Sequence, residues 1–199
     1  MRFEMRTLGW MTAAVLFSGS AVWAHPQHGG VGSGLLAGFA HPMLGWDHLL
    51  AMFAVGLIAA QWGGRAVWAL PSSFLAAMLV GGGWGMQGAS LPGVELGIAA
   101  SVLLLGVAVA SGRRCPLLPA MFAIGLFGWF HGHVHGTEAP VLAAPMLYAI
   151  GFLGATSLLH LIGILVGSSL QSAVRWSTGL RWAGRLIAVA GVSLLISCF

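Results

Sequence analysis

The sequence contains no lysine, and charged residues fill only 6% of its 199 positions. Without lysine there is no Walker A loop to hold nucleotide phosphates and no amine for Schiff-base chemistry, so neither ATP hydrolysis nor that covalent catalysis resides in the chain. So little charge, against 58% hydrophobic residues, does not solvate the surface of a water-soluble domain of this size. Cysteine is scarce too. Cys115 and Cys198 lie far apart near different helix ends, a spacing that suggests neither a disulfide framework nor a thiolate knuckle. The net charge of +4 rests wholly on arginine. Most of these arginines fall in short loops between apolar runs, so they read as topology signals rather than as a nucleic-acid surface.

What is present is lipid-soluble sequence. Residues 1–24 open with Arg2 and Arg6, pass through an apolar run from Leu8 to Phe17 and end on small residues at Ala24, the pattern of a cleaved secretory signal peptide. The alternative is a retained first helix. Cleavage would expose His25-Pro26-Gln27-His28, where two imidazoles beside a free amino terminus form either a metal-capturing group or a polar tail.

Beyond it, apolar stretches run at 35–61, 66–89, 94–111, 117–135, 142–168 and 182–198. A span needs ~20 residues, so the reading is an all-α, polytopic transmembrane bundle of six spans over 25–199, with no separate soluble domain. If the mature N-terminus is outside the bacterial inner membrane, every arginine after the signal peptide (Arg65, Arg113, Arg114, Arg175, Arg181, Arg185) falls on the cytoplasmic side. The 31 glycines recur four apart in Gly81/Gly85, Gly93/Gly97 and Gly128/Gly132/Gly136, which lets helices approach closely, within one chain or in a homo-oligomer.

Ionisable groups inside these spans cost several kcal/mol unless paired or hydrated, which makes each a functional candidate. The first span carries His41, Asp47 and His48. In one continuous helix, His41 and His48 share a face ~10 Å apart along the axis, and Pro42 either starts that helix or interrupts it. The plainer reading of Asp47 and His48 is a structural ion pair.

The fourth span ends in His131-Gly-His133-Val-His135-Gly-Thr-Glu138. His131 and His135 are one turn apart, a spacing that lets two imidazoles chelate one ion, with Glu138 at the next turn. A polar cap at the membrane surface is the alternative. In the fifth span Thr156 and His160 are again four apart, and His160 is expected at about the depth of His48, so that the two meet. Glu95 is either a rim carboxylate or, on the preferred reading, a favourable charge at a helix N-terminus.

Imidazole and carboxylate with little thiolate suit nickel or cobalt, with zinc as a further choice, better than copper(I), magnesium or calcium. The ion is cargo here and no prosthetic group is expected. The layering anticipates an outer group of His25, His28, His41, His131, His135 and Glu138, and a deeper one of Asp47, His48 and His160.

At these residues the chain resembles the HupE/UreJ family. His41-Pro-x-x-Gly45-x-Asp47-His48-Leu-Leu-Ala51-Met52-x-x-Val55-Gly56 is similar to its signature, and His131-Gly-x-x-His135-Gly-x-Glu138 and Ala155-Thr156-x-x-x-His160 are similar to its other polar motifs. The resemblance implies a nickel or cobalt permease that supplies hydrogenase or urease maturation, with nickel-enzyme maturation proteins as downstream partners. Two other classes compete: an intramembrane zinc hydrolase, with three histidines on the metal and Asp47 or Glu138 activating water, and an accessory protein that binds metal without moving it.

Overall fold

The computed structural model describes residues 31–139, 144–171 and 176–199. The signal-peptide reading and the His25/His28 terminus lie outside these residues, as does Arg175. The described chain is all helix: α1 (Val31–Leu44), α2 (Trp46–Trp62), α3 (Ala66–Met86), α4 (Val94–Ser111), α5 (Leu117–Thr137), α6 (Pro145–Gln171) and α7 (Trp176–Ser197). The helices stop where glycine takes a positive φ, as at Gly63 after α2 and Gly112 after α4. Pro145 stands at the first position of α6, where its missing N–H costs no hydrogen bond.

Polarity is inverted relative to a protein in water. Leu118, Phe122, Leu186 and Ile196 are well exposed on the outside, whereas the buried polar side chains are His48, Ser101, His131, His133, His135, Thr156 and His160. Helices α3 to α7 are each long and apolar enough to cross a bilayer. The chain is therefore a multi-pass membrane protein.

The first apolar stretch departs from the expectation of one continuous helix. It breaks at Gly45, and α1 and α2 meet at 83°. Pro42 sits inside α1, and Gly45 adopts an extended conformation that ends that helix and caps the next. A Cβ on Gly45 would press on the Asp47 carboxylate at 2.7 Å, so a larger residue here would push that carboxylate away from its place beside His48. If the bent pair crosses as one, the crossings number six.

The helices are joined backbone to backbone in three groups. Gly128 and Gly132 of α5 lie on the backbone at Phe74 and Met78 of α3, and Gly81 and Gly85 of α3 lie on Trp129 and His133, so these two helices run parallel. Gly106 of α4 meets Ala188, and Gly191 of α7 meets Leu103, an antiparallel pair. Helix α6 carries α1 along its first half, through Gly38 and Gly151, and α2 along its second, through Gly56 and Gly163. Both cross it in the same chain direction. These directions are the ones that six alternating crossings require. The expected Gly93/Gly97 pair divides: Gly97 packs on Phe130, but Gly93 has a φ of +74° and nothing near its missing Cβ, so it serves the turn before α4.

Glycine contacts of this kind are sensitive to a single methyl. Gly128→Ala is expected to destabilise the protein in detergent by ~1–3 kcal/mol, because its Cβ would collide with the Phe74 backbone. Gly83→Ala, which meets nothing within 4 Å, is expected to be neutral or to raise thermal stability slightly. Melting curves of the two variants test this, and equal effects would refute the packing argument.

Candidate metal centre

Because α2 starts at Gly45, Asp47 falls in its first turn, with its carboxylate beside the helix N-terminus. One carboxylate oxygen accepts two hydrogen bonds from the next residue, from the His48 backbone N–H at 2.8 Å and from His48 Nδ1 at 2.7 Å. The carboxylate fixes the proton on Nδ1 and leaves the lone pair on Nε2, a buried atom with no hydrogen-bond partner in the protein.

The bend then brings the histidines of two segments together. Ring centroids lie 4.8 Å apart for His41 and His135, 4.6 Å for His135 and His48, and 4.8 Å for His48 and His131. His41 and His48 are 6.2 Å apart, closer than a continuous helix would allow. His131 and His135 are fully buried on α5, on the side of the helix next to its glycine seam with α3.

His131 is oriented by a residue the sequence did not single out. The Ser101 hydroxyl donates to the Ile98 carbonyl at 2.6 Å, so its oxygen accepts from His131 Nε2 at 2.9 Å. That leaves His131 Nδ1 as the free, buried base. His135 stacks on Phe152 at 5.3 Å, and neither of its ring nitrogens has a partner in the protein. Three imidazoles therefore keep an unshared lone pair inside the bundle, two of them with the tautomer set by a neighbour. Among the described residues no three His, Cys, Asp or Glu side chains are already gathered around one point. The rings are adjacent, and a common centre requires them to turn.

Toward the bundle end, His41 Nε2 lies 3.0 Å from a Glu138 oxygen. Glu95, in the first turn of α4, lies near enough to Asp47, Glu138 and His48 to feel their charges. It therefore belongs to the rim of this cluster as well as to the helix N-terminus where it was expected. The three carboxylates of the described residues, Asp47, Glu95 and Glu138, all collect here, while Arg65, Arg113 and Arg114 occupy the connections at the opposite end.

His133 faces away, its Nε2 bound to the Ala89 carbonyl at 2.8 Å, and ties α5 to the loop before α4. The two-layer expectation changes. Asp47 and His48 sit among the residues expected outside, since the break lifts the start of α2 to the level of His131 and His135. His160 lies apart, buried, with its ring edge-on to Phe74 at 5.2 Å. Phe74 also contacts His131, at 5.6 Å, so its ring neighbours both histidines.

Comparison with known proteins gives two matches. The family model described as HupE / UreJ protein matches residues 12–194. Protein HupE of Rhizobium leguminosarum bv. viciae is 43% identical over 173 residues, covering 87% of this chain and 90% of that protein. No solved structure matches.

The rim contact has a defined pH dependence. The hydrogen bond from His41 holds the Glu138 carboxyl below its ordinary value of 4.5. A depressed folded-state value means that the contact stabilises the protein fully above pH 4.5 and is lost as the pH falls through the lower folded value. The stability difference between the wild type and Glu138→Gln, read from melting curves in detergent, is expected to hold down to about pH 4.5 and to close as the pH falls further. A gap that widens in acid would contradict this reading.

Proposed function

The chain belongs to the HupE/UreJ family, a membrane family associated with nickel and cobalt uptake for hydrogenases and ureases, and from that premise we propose that it is a permease for divalent nickel, with cobalt as second cargo. The observation that carries the reading is the group of buried imidazoles, His48, His131 and His135, whose rings adjoin inside the bundle, each with a nitrogen that has no partner in the protein. Borderline divalent ions prefer such nitrogen donors.

In this reading the mature N-terminus lies outside the inner membrane and the arginine-bearing connections inside. Glu95, Glu138 and Asp47 draw the cation to the outer end, where His41 and Glu138 are its first ligands. Burial would strip its water, and the imidazoles replace it. Asp47 acts chiefly by holding His48 in its ligating tautomer, and Ser101 does the same for His131. The terminal His25 and His28 extend the outer group by capturing ions ahead of it. With no nucleotide-binding lysine, the driving force is a partner protein, an ion gradient or the membrane potential, which at 100 mV is worth about 4.6 kcal/mol for a doubly charged ion. The metal would pass to maturation proteins of a nickel enzyme in the cytoplasm.

Radioactive nickel uptake into proteoliposomes, with cobalt and zinc as competitors, tests the proposal. The wild type is expected to give saturable uptake that cobalt inhibits more strongly than zinc does. Asp47→Asn/His48→Ala is expected to lose it, and Ser101→Ala to lower it by about tenfold, the scale on which partners behind a ligand act. Absence of uptake with one zinc held tightly would overturn the permease in favour of a zinc hydrolase. Absence of uptake with reversible nickel binding would favour an accessory protein.

A further inference from the structure

Thr156 of α6 is fully buried, and its hydroxyl lies 3.3 Å from the sulfur of Met52 and 3.7 Å from that of Met78. Both methionines are themselves fully buried. One turn further along α6, His160 is 2% exposed and neither of its ring nitrogens has a partner in the protein. The residues fall four apart on three helices, as Met52 and Gly56 on α2, Phe74 and Met78 on α3, and Thr156 and His160 on α6, so each helix turns one face toward a shared interior. Gly56 keeps α2 close, since a Cβ there would meet the His160 backbone.

Packing alone does not account for the hydroxyl. A serine or threonine in a helix ordinarily returns its proton to a carbonyl of the preceding turn. Ser73, Ser101, Ser111, Thr137, Ser157 and Ser197 all do so here. Thr156 points instead at two thioethers, which are weak acceptors. Donor atoms 3.3 and 3.7 Å apart are also spaced much as ligands of one ion are, since tetrahedral donors at ~2.3 Å from a metal stand about 3.8 Å from each other.

We propose that Met52, Met78, Thr156 and His160 form an inner coordination site that receives the ion after the histidine cluster. The donors are two thioether sulfurs, a hydroxyl oxygen and an imidazole nitrogen, a set suited to a borderline or soft cation and not to magnesium or calcium. All four are uncharged, unlike the carboxylate-bearing cluster above. The inner site therefore binds more weakly, which favours onward release. The proposal takes its cargo from the permease reading, but its binding chemistry stands apart from translocation.

X-ray absorption at the nickel edge tests it, on the full chain purified in detergent in a Cys115→Ser/Cys198→Ser background and loaded with nickel in excess. The spectrum is expected to contain a sulfur shell beside nitrogen and oxygen. Met52→Leu/Met78→Leu is expected to abolish that shell and to lower nickel uptake by proteoliposomes at least about tenfold. A nickel environment of nitrogen and oxygen only, before any methionine is changed, overturns the proposal without need of the variant. So does a sulfur shell that survives in the double variant. Should the leucine variant not yield monodisperse protein, Thr156→Val, which removes one donor and nearly no volume, replaces it: weakened binding at the sulfur-containing site supports the assignment and unchanged binding overturns it. A sulfur shell without wild-type uptake would leave the inner site standing and remove the permease. Full uptake by the leucine variant with no sulfur shell in any form would do the reverse.

Discussion

A single oxygen of Asp47 accepts both N–H groups of the residue that follows it, and the geometry of the cluster starts from that contact. The backbone bond helps α2 begin where it does, one residue after the break, and the side-chain bond sets which His48 nitrogen faces the interior. A carboxylate placed between a helix N-terminus and an imidazole has favourable partners on both sides, which offsets the cost of holding it at the edge of an apolar bundle. Without it, His48 has no reason to present Nε2 inward. The neighbouring rings of His131 and His135 would then face an imidazole of undetermined tautomer.

The bundle follows from the composition because lipid leaves a chain few choices. Apolar runs must be helical to satisfy their own backbone, and their ends are marked by arginine, proline and glycine. The run at 94–111 therefore matches its helix residue for residue, three others match to within a few positions, and the run at 35–61 covers two helices. The run at 182–198 was placed too late. Its helix starts at Trp176, in a segment whose arginines and serine masked the helical pattern.

The site was legible in its residue types and less so in its arrangement. His41, Asp47, His48, His131, His135 and Glu138 do assemble, since ionisable groups in such sequence have few places to go. The depth assignment did not carry over, because it assumed a straight first span. Gly45 is one glycine among 31, and what sets it apart is the Asp47 carboxylate folding back on it, a contact with no signature in linear sequence. Ser101 was invisible for a related reason: serine in an apolar helix is commonplace, and only proximity to His131 gives it a task. For Glu95 the sequence leaves a rim role and a helix N-terminal role both open, and the charges that bring it to the rim come from α2 and the end of α5.

The glycine seams divide the molecule into α1–α2–α6, α3–α5 and α4–α7, each held by backbone contact that side-chain movement does not loosen. His41, Asp47, His48, Thr156 and His160 belong to the first unit, Phe74, Met78, His131, His135 and Glu138 to the second, and Glu95 and Ser101 to the third. No unit carries a complete set of donors. Coordination number thus becomes a mechanical variable: a rigid tilt of one unit against another by the width of an atom changes how many donors reach a given point, with no helix unwinding and no seam broken. On the permease reading proposed above, such a molecule would grip or release its ion according to how its parts lean.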